Sequence, residues 1–285
     1  MMNFFVDSQT YGPIRFRSGV PASLAKWTMR GSQPFSAEGT FGSILMQLIH
    51  AGTAQLIYTT CNIRKDLALD FSSSGPVWLT HIALKNENRF DIAGTGPVYL
   101  KQGQFNMIQS YTLSGTLYLE KGNEYQAISI YYSREQLEEV LPFFPFLNNF
   151  IRESDSGKPL LLFTRHHWID SQLIDIIGHF LHCTFRGSLR QLYFDYKIKE
   201  LLWLLLDREN ATATTPKDLD DRTIELISEA KYIIEAALGQ AVTLDRIARK
   251  LGMTKAKLES GFRMLFGSAP GDHRLPARNE KVKLS

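Results

Sequence analysis

Basic and hydrogen-bonding side chains are concentrated between Thr254 and Arg263, where the chain is predicted to be helical. Lys255 and Lys257 fall in the first turn of that helix, where the helix dipole disfavours a cation by about 0.3–1 kcal/mol each. A bound anion such as a phosphate would offset this cost. The segment therefore predicts anion binding combined with hydrogen bonding. The candidate binding residues are Thr254, Lys255, Ala256, Lys257, Glu259, Ser260 and Arg263.

Two short helices joined by a tight turn would hold these side chains in place. Thr243 and Thr254 are typical N-cap residues, and Gly252 suits a turn that needs a positive φ. Apolar residues recur at helical spacing on both sides of the turn. This is the helix-turn-helix pattern, whose second helix enters the major groove of DNA. A structural helical hairpin with solvated lysines is the alternative. The predicted core consists of Leu244, Ile247, Ala248, Leu251, Gly252, Leu258 and Phe262.

A polar, proline-bearing segment at 210–221 is predicted to be a linker between two domains. A helix at Thr223–Leu238 follows it, and Gly239 would end that helix. Residues 241–285 hold ten Lys and Arg against four Asp and Glu, whereas the whole chain has a net charge of only +3. A basic end favours a polyanionic partner, although a solvated tail accounts for the same charge. The predicted domains are a regulatory domain at 1–209 and a DNA-binding domain at 222–285. The second domain contains a first helix-turn-helix but no second one.

Short apolar runs, broken by Gly, Pro, Asn and Ser, dominate residues 1–130 and predict a β-sandwich or a small β-barrel. After these runs, Ser133 and Gln136 have the spacing of a capping box, which predicts a helix that continues to about Leu141. The predicted strands are Ile44–Ile49, Gln55–Thr60, Val77–Leu84, Val98–Leu100, Gln104–Ser110, Thr116–Leu119 and Ala127–Tyr132.

Two long helices are predicted at Ile169–Phe185 and Leu189–Leu206. The second contains more apolar residues than one narrow stripe requires. It would therefore pack on two sides, against the strand region and against another surface such as a second copy of the chain. Its apolar positions at helical spacing are Leu189, Leu192, Tyr193, Tyr196, Leu201, Leu204 and Leu205.

Five residues of the strand region have side chains suited to ligand binding. They would either line the interior of a barrel and contact a ligand or belong to the core, and the sequence leaves both interpretations open. These residues are Trp78, His81, Phe90, Phe105 and Tyr118.

A possible metal site falls on the first long helix, where His179, His182 and Cys183 are spaced to share one face. The spacing specifies no fourth ligand, so a packing face is the preferred interpretation. The chain has no GxSxG, Walker, GxGxxG or HExxH motif. We therefore predict neither enzymatic activity nor a cofactor nor a metal site.

Composition favours a globular protein, with 44% hydrophobic and 21% charged residues. No apolar run approaches the roughly 18 residues of a membrane helix, and the N-terminus lacks the basic start and apolar core of a signal peptide. Cys61 and Cys183 lie far apart, which argues against a disulfide framework. We expect a cytoplasmic protein with no membrane partner.

The C-terminal stretch TLDRIARKLGMTKAKLESGFRMLFGSAPGDHRL, Thr243–Leu275, resembles the first helix-turn-helix of AraC-type (AraC/XylS) transcription regulators. The following RNEKVKL, Arg278–Leu284, resembles the start of the helix that joins the two units of that family. Three upstream segments are similar to the N-terminal regulatory domains of one branch: Gly103–Ile108, Ile128–Pro145 and Leu189–Leu206. The resemblance covers most of the chain.

This resemblance implies an α+β fold, with an N-terminal cupin-like β-barrel and helical extension followed by a C-terminal all-α helix-turn-helix domain. The implied function is sequence-specific binding of double-stranded DNA. The implied partners also include a small-molecule effector and a second copy of the chain in a homodimer.

The sequence departs from the family pattern at three points. The chain ends where a second helix-turn-helix should begin, and Pro276 does not allow a helix to run smoothly through it. Glu259 and Ser260 occupy positions where the family usually has a polar or basic pair. The alternative function is a truncated ligand-binding, dimerising protein that no longer binds DNA and interferes with full-length relatives. A cupin-type enzyme, the third hypothesis, would need a metal cluster in the barrel.

Overall fold

Two antiparallel β-sheets and seven α-helices make up the described part of the chain in the computed structural model, which covers residues 5–8, 10–73, 75–152, 158–212, 219–236, 243–266 and 268–273. Contacts divide the chain into two units. Unit 1 comprises 1–167 and 178–206, and unit 2 comprises 168–177 and 207–285. No helix of the described residues is both long and apolar enough to cross a membrane.

Short apolar runs, or apolar residues that alternate with polar ones, explain most of the strands. They are β1 (Phe5–Asp7), β2 (Arg17–Ser18), β3 (Gln33–Gly39), β4 (Gly42–Ala51), β5 (Ala54–Ile63), β6 (Leu67–Ser72), β7 (Val77–Lys85), β8 (Asn88–Ile92), β9 (Gly96–Leu100), β10 (Gln104–Ser110), β11 (Ser114–Leu119), β12 (Glu124–Tyr132), β13 (Leu160–Leu161) and β14 (His167–Trp168). All seven predicted strands are present. The prediction missed the other seven, which are β1, β2, β3, β6, β8, β13 and β14. In β8, Arg89 and Asp91 are exposed, which interrupts the apolar signal.

The nine-stranded sheet has the order β13-β10-β7-β12-β5-β4-β3-β2, with β14 paired to β10, and the five-stranded sheet has the order β1-β6-β11-β8-β9. The two sheets face each other: Val77, Leu79 and Ile108 of the large sheet share a buried cluster with Ile92 and Val98 of the small one. The predicted combination of antiparallel β-structure with helices is confirmed.

The capping box at Ser133 is confirmed. Its hydroxyl oxygen accepts a hydrogen bond from the Gln136 N–H over 3.3 Å, and its own N–H donates to Gln136 Oε1 over 3.1 Å. The helices that follow are α1 (Arg134–Val140), α2 (Leu147–Arg152), α3 (Ser171–Leu181) and α4 (Gly187–Thr212). Helix α3 is shorter than predicted because Asp170 caps its start, where Asp170 Oδ1 accepts from the Leu173 N–H over 3.1 Å. Residues 182–186 separate it from α4, which begins at Gly187 with a φ of 55°.

Helix α4 buries only part of the predicted apolar set, which includes Leu201 and Leu205. Leu189, Leu192 and Tyr196 are 55%, 52% and 65% exposed, and Trp203 on the same face is 51% exposed. The helix therefore has two apolar faces, as its apolar content predicted, and one of them is buried. The buried face consists of Phe194, Ile198, Leu201, Leu202, Leu205 and Leu206.

Three further helices belong to unit 2: α5 (Asp221–Ala236), α6 (Leu244–Lys250) and α7 (Lys255–Phe266), followed by a 3-10 turn at Pro270–His273. Helix α4 continues to Thr212 and α5 begins at Asp221, so both helices extend into the predicted linker. Residues 213–218, which form the middle of that linker, lie outside the described residues. So do Gly239, Pro276 and Arg278–Leu284.

Candidate nucleic-acid interface

Helices α5, α6 and α7 surround one apolar core. Helix α5 contributes Ile227, Ala230 and Ile234, and α6 with its C-cap and α7 contribute Ile247, Ala248, Leu251, Leu258 and Phe262. Leu244 is partly buried against the same cluster. The structure thus brings together the six apolar residues proposed as a core.

The turn between α6 and α7 is fixed by backbone hydrogen bonds. Gly252 adopts φ 65°, which an L side chain rarely does. Its N–H donates to the Arg249 carbonyl over 3.2 Å, and the Met253 N–H donates to the Ala248 carbonyl over 2.8 Å. These two bonds form a Schellman motif that satisfies carbonyls at the end of α6. The turn therefore has a defined geometry.

Threonine caps begin both helices. The Thr243 hydroxyl oxygen accepts from the Arg246 N–H over 3.4 Å, and the Thr254 hydroxyl oxygen accepts from the Lys257 N–H over 3.2 Å. Each bond satisfies one N–H that the helix itself leaves unpaired. Together with the turn, the two caps set where α7 starts.

Helix α7 crosses α5 closely at Gly261, which sequence reasoning missed. A Cβ atom at this position would overlap the Ile227 side chain. The available signal was an isolated glycine inside a helical pattern, which costs about 1 kcal/mol relative to alanine and usually has a packing reason.

Ala256, Ser260 and Arg263 lie on the side of α7 opposite its buried residues, and the other candidates flank that side or precede the helix. Leu258 and Phe262 are 0% exposed, and Glu259 is partly buried. The other candidates are all exposed: Thr254, Lys255, Ala256, Lys257, Ser260 and Arg263.

Carboxylates of the same unit lie near the two lysines. Lys255 Nζ is 3.7 Å from Asp245 Oδ2. The pKa of Asp220 is lowered, chiefly by the backbone N–H of Thr223, then by the Thr223 hydroxyl, with a smaller contribution from the charge of Lys257. A phosphate that binds Lys255 would therefore compete with the Asp245 carboxylate.

Exposed cations of α6 add to the positive charge, and sequence reasoning did not assign them. They are Arg246, Arg249 and Lys250. Arg249 Nε donates to the Asp245 carbonyl over 3.2 Å, which holds the Arg249 side chain along its own helix. The signal was present in the run DRIARK, where three cations fall within five residues.

Unit 1 contains a second candidate site, a cavity of about 150 Å³ between the two sheets. His81 lies in its wall, with Nδ1 2.9 Å from Ser129 Oγ and Nε2 2.8 Å from Asn88 Oδ1. Burial lowers the pKa of His81, with the hydrogen bond to Asn88 opposing the shift. The Phe90 ring meets the imidazole edge-on at 5.0 Å between centroids.

Only two of the five aromatic and histidine candidates, His81 and Phe90, line this cavity. Trp78 is paired with Gln109 and lies one position away from cavity-lining Leu79, on the opposite face of its strand. Phe105 stacks on His167, with ring centroids 5.7 Å apart. Tyr118 packs against the Arg89 guanidinium at 4.9 Å on the outer face of the small sheet. Sequence spacing alone did not show which strand face points inward.

The three residues that were candidate metal ligands, His179, His182 and Cys183, have different surroundings in the structure. His179 meets Tyr193 edge-on at 6.4 Å, His182 is exposed, and Cys183 is partly exposed. Within the described ranges, no group of three or more His, Cys, Asp and Glu residues is arranged to hold a metal ion.

Residues 42–219, more than half of the chain, match the family described as the regulatory protein PchR N-terminal domain. The chain belongs to this family. It is an AraC-type transcription regulator. The matched region contains the strands from β4 onward and helices α1–α4.

The regulatory protein PchR from Pseudomonas aeruginosa is 32% identical to this AraC-type regulator over 90 residues, which are 30% of the chain and 30% of PchR. The chain therefore aligns with less than a third of that relative's length. Two solved structures are remotely similar. The AraC-like transcriptional activator CuxR is 12% identical with a TM-score of 0.36, covering 88% of this chain and 79% of CuxR. Apo ToxT from Vibrio cholerae is 7% identical with a TM-score of 0.39, covering 79% and 98%.

Proposed function

We propose that this AraC-type regulator binds double-stranded DNA sequence-specifically through a helix-turn-helix formed by α6 and α7. The observation that carries the proposal is the division of α7 into two faces. Leu258 and Phe262 are fully buried, whereas Ala256, Ser260 and Arg263 are exposed on the other side. The second helix of a helix-turn-helix is held in this way and enters the major groove.

The side chains of α7 have separate proposed roles. Lys255 and Lys257 contact phosphates near the start of the helix, where the dipole adds to the attraction. Arg263 and Ser260 reach base edges, and Glu259 accepts a hydrogen bond from a cytosine amino group. The full proposed surface is Thr254, Lys255, Ala256, Lys257, Glu259, Ser260 and Arg263.

For the N-terminal region we propose a cupin-like β-barrel that senses a small-molecule effector. Two facing antiparallel sheets with a cavity between them support this proposal. The proposed division of labour is sensing and dimerisation by residues 1–209 and DNA binding by residues 222–285, with 210–221 as the linker.

The regulator is further proposed to act as a homodimer that uses the exposed face of α4. Leu189, Leu192, Tyr196 and Trp203 are each more than half exposed there, and the Phe143 ring lies 5.8 Å from that of Trp203. These side chains offer on the order of 500 Å² of apolar area per copy. Two copies would bury about 1,000 Å², the lower limit for a specific interface.

Dimerisation matters because a single helix-turn-helix makes a small interface with DNA. One such module buries roughly 600–1,000 Å² on DNA, at the low end for specific complexes. Tethering two modules raises the effective affinity by about 10²–10⁴ where the geometry allows both to bind.

Selection of random-sequence DNA duplexes by the purified chain, followed by salt titration of the selected duplex, tests DNA binding. We expect an enriched motif and a log–log salt dependence that reflects several phosphates. A folded dimer that enriches no motif and binds no duplex would support the second candidate, a ligand-binding, dimerising protein that does not read DNA. The carboxylate of Asp245, 3.7 Å from the Lys255 ammonium, favours that candidate because it competes with phosphate.

A further inference from the structure

The cavity between the sheets of unit 1 is uncharged. Among the described residues that line it, none is Asp, Glu, Lys or Arg. Cys61 is buried in its wall, and burial raises the pKa of the thiol to about 12, so the thiol stays neutral. A buried carboxylate or ammonium group without a partner of opposite charge is strongly disfavoured. A charged ligand would therefore find no compensating group here.

The size of the cavity limits the ligand to about one ring. A cavity of about 150 Å³ with mostly apolar walls admits a molecule of the size of benzene. The apolar part of the wall includes Ile44, Leu69, Phe71, Leu79, Phe90 and Ile108.

A chain of hydrogen bonds in the wall, from Ser129 through His81 to Asn88, fixes which of these groups donate and which accept. We call this chain the His81–Asn88 relay. The Asn88 amide nitrogen donates to the Asn86 carbonyl over 3.5 Å, which turns Asn88 Oδ1 toward His81. Because that oxygen only accepts, His81 Nε2 must carry the proton and Nδ1 must accept. The Ser129 hydroxyl then donates to Nδ1 over 2.9 Å. The Ser129 hydroxyl proton is therefore used in the hydrogen bond to the imidazole. The lone pairs of Ser129 Oγ remain able to accept a hydrogen bond from a ligand.

We propose that this cavity binds a neutral, largely apolar ligand of one-ring size that carries a single hydroxyl group, and that the hydroxyl donates to Ser129 Oγ. A phenol has this chemistry. This proposal rests on the proposed sensing of a small-molecule effector by the N-terminal region, and it names the chemical class of that effector. It predicts that Ser129, through the His81–Asn88 relay, distinguishes a hydroxyl from a capped oxygen.

Fluorine NMR of the full chain without DNA tests the ligand class with three matched probes: 4-fluorophenol, 4-fluoroanisole and 4-fluorobenzoate. We expect saturable binding of 4-fluorophenol, binding of 4-fluoroanisole that is roughly 3- to 10-fold weaker because one hydrogen bond is lost, and no saturable binding of 4-fluorobenzoate. Equal affinity for the phenol and the anisole, tighter binding of the benzoate, or no binding of any probe would each overturn the proposal.

Two variants locate the binding. Ser129→Ala should abolish the preference for 4-fluorophenol over 4-fluoroanisole, whereas Ser36→Ala, on a strand face away from the cavity, should keep it. Ala127→Leu fills the cavity and should eliminate both probes, which keeps the proposal testable if Ser129→Ala fails to fold. An unchanged preference in Ser129→Ala, or unchanged binding in a folded Ala127→Leu, would contradict it. DNA binding of the probe-free protein is measured separately, so failure of the ligand proposal is distinguishable from failure of the DNA proposal.

Discussion

Gly261 of α7 lies directly against the Ile227 side chain of α5, so that a Cβ atom at position 261 would overlap the Ile227 Cδ1. Both residues belong to the core on which α7 is mounted, and Ile227 is 0% exposed. The close approach of the two helices at this point therefore depends on the absence of a side chain at position 261.

We expect Gly261→Ala to lower the free energy of unfolding. Overpacking a buried contact costs about 1–3 kcal/mol, which exceeds the gain in helix propensity of about 1 kcal/mol. Ile227→Val removes the Cδ1 and alone costs about 0.5–1.5 kcal/mol. Denaturant unfolding of both single variants and the double variant checks the coupling. The double variant should be more stable than the sum of the single effects; simple additivity would mean that the close approach has no energetic consequence.

Arg263→Ala should weaken binding to a selected DNA duplex by about 1–3 kcal/mol, or roughly 5- to 150-fold, because a bidentate base contact is lost. Fluorescence anisotropy at one fixed salt concentration measures the change. Arg64→Ala is the matched control, since Arg64 is exposed in unit 1 and carries the same charge. Equal affinity of the two variants for DNA would show that Arg263 does not belong to the DNA interface.

Asp245→Asn should strengthen DNA binding, because its carboxylate lies 3.7 Å from the Lys255 ammonium. Both side chains are exposed, so the pair is worth only about 0–1 kcal/mol, and the gain should be at most a few-fold. The same substitution in a Lys255→Ala background is the control. If the gain persists there, it comes from the general change in charge and not from release of Lys255.

The residues of α6 and α7 show what local sequence determines. Thr243 and Gly252 specify a cap and a turn through chemistry that acts over three or four residues, so the pattern predicted both. The crossing at Gly261 depends on Ile227, which is 34 positions earlier in the chain. A local sequence pattern cannot predict how one helix packs on another that lies so far away in the chain.

In the strand region, the sequence predicted several of the strands but not which side chains point into the cavity. The β-runs and the capping box were predictable, but the direction in which each side chain points was not. Trp78 and His81 lie three positions apart on β7 and therefore face opposite sides of the sheet. Both faces of β7 are buried, so the alternation of polarity that normally separates the sides is missing.

Tyr196→Glu should shift the chain from dimer to monomer. The side chain is 65% exposed near the middle of the apolar face of α4, and burying a carboxylate in an apolar interface carries a desolvation cost. Gln191→Glu is the control, because Gln191 is exposed on a different side of the helix. Sedimentation velocity measures the mass of each variant. A dimer that survives in Tyr196→Glu would place the interface elsewhere.

Folding stability should fall as the pH drops below 6.5, the ordinary pKa of histidine, because His81 is buried and its pKa is lowered by desolvation. Below that pH the unfolded chain takes up a proton that the folded chain does not, which favours unfolding. One such group contributes at most about 1.4 kcal/mol per pH unit. Chemical denaturation at a series of pH values between neutral and acid measures the slope. His81→Gln should flatten the curve below pH 6.5 whatever its effect at neutral pH. His50→Gln, at an exposed site, is the matched control for the loss of one histidine. If His81→Gln keeps the slope of the parent chain, His81 is not the group that couples protonation to unfolding.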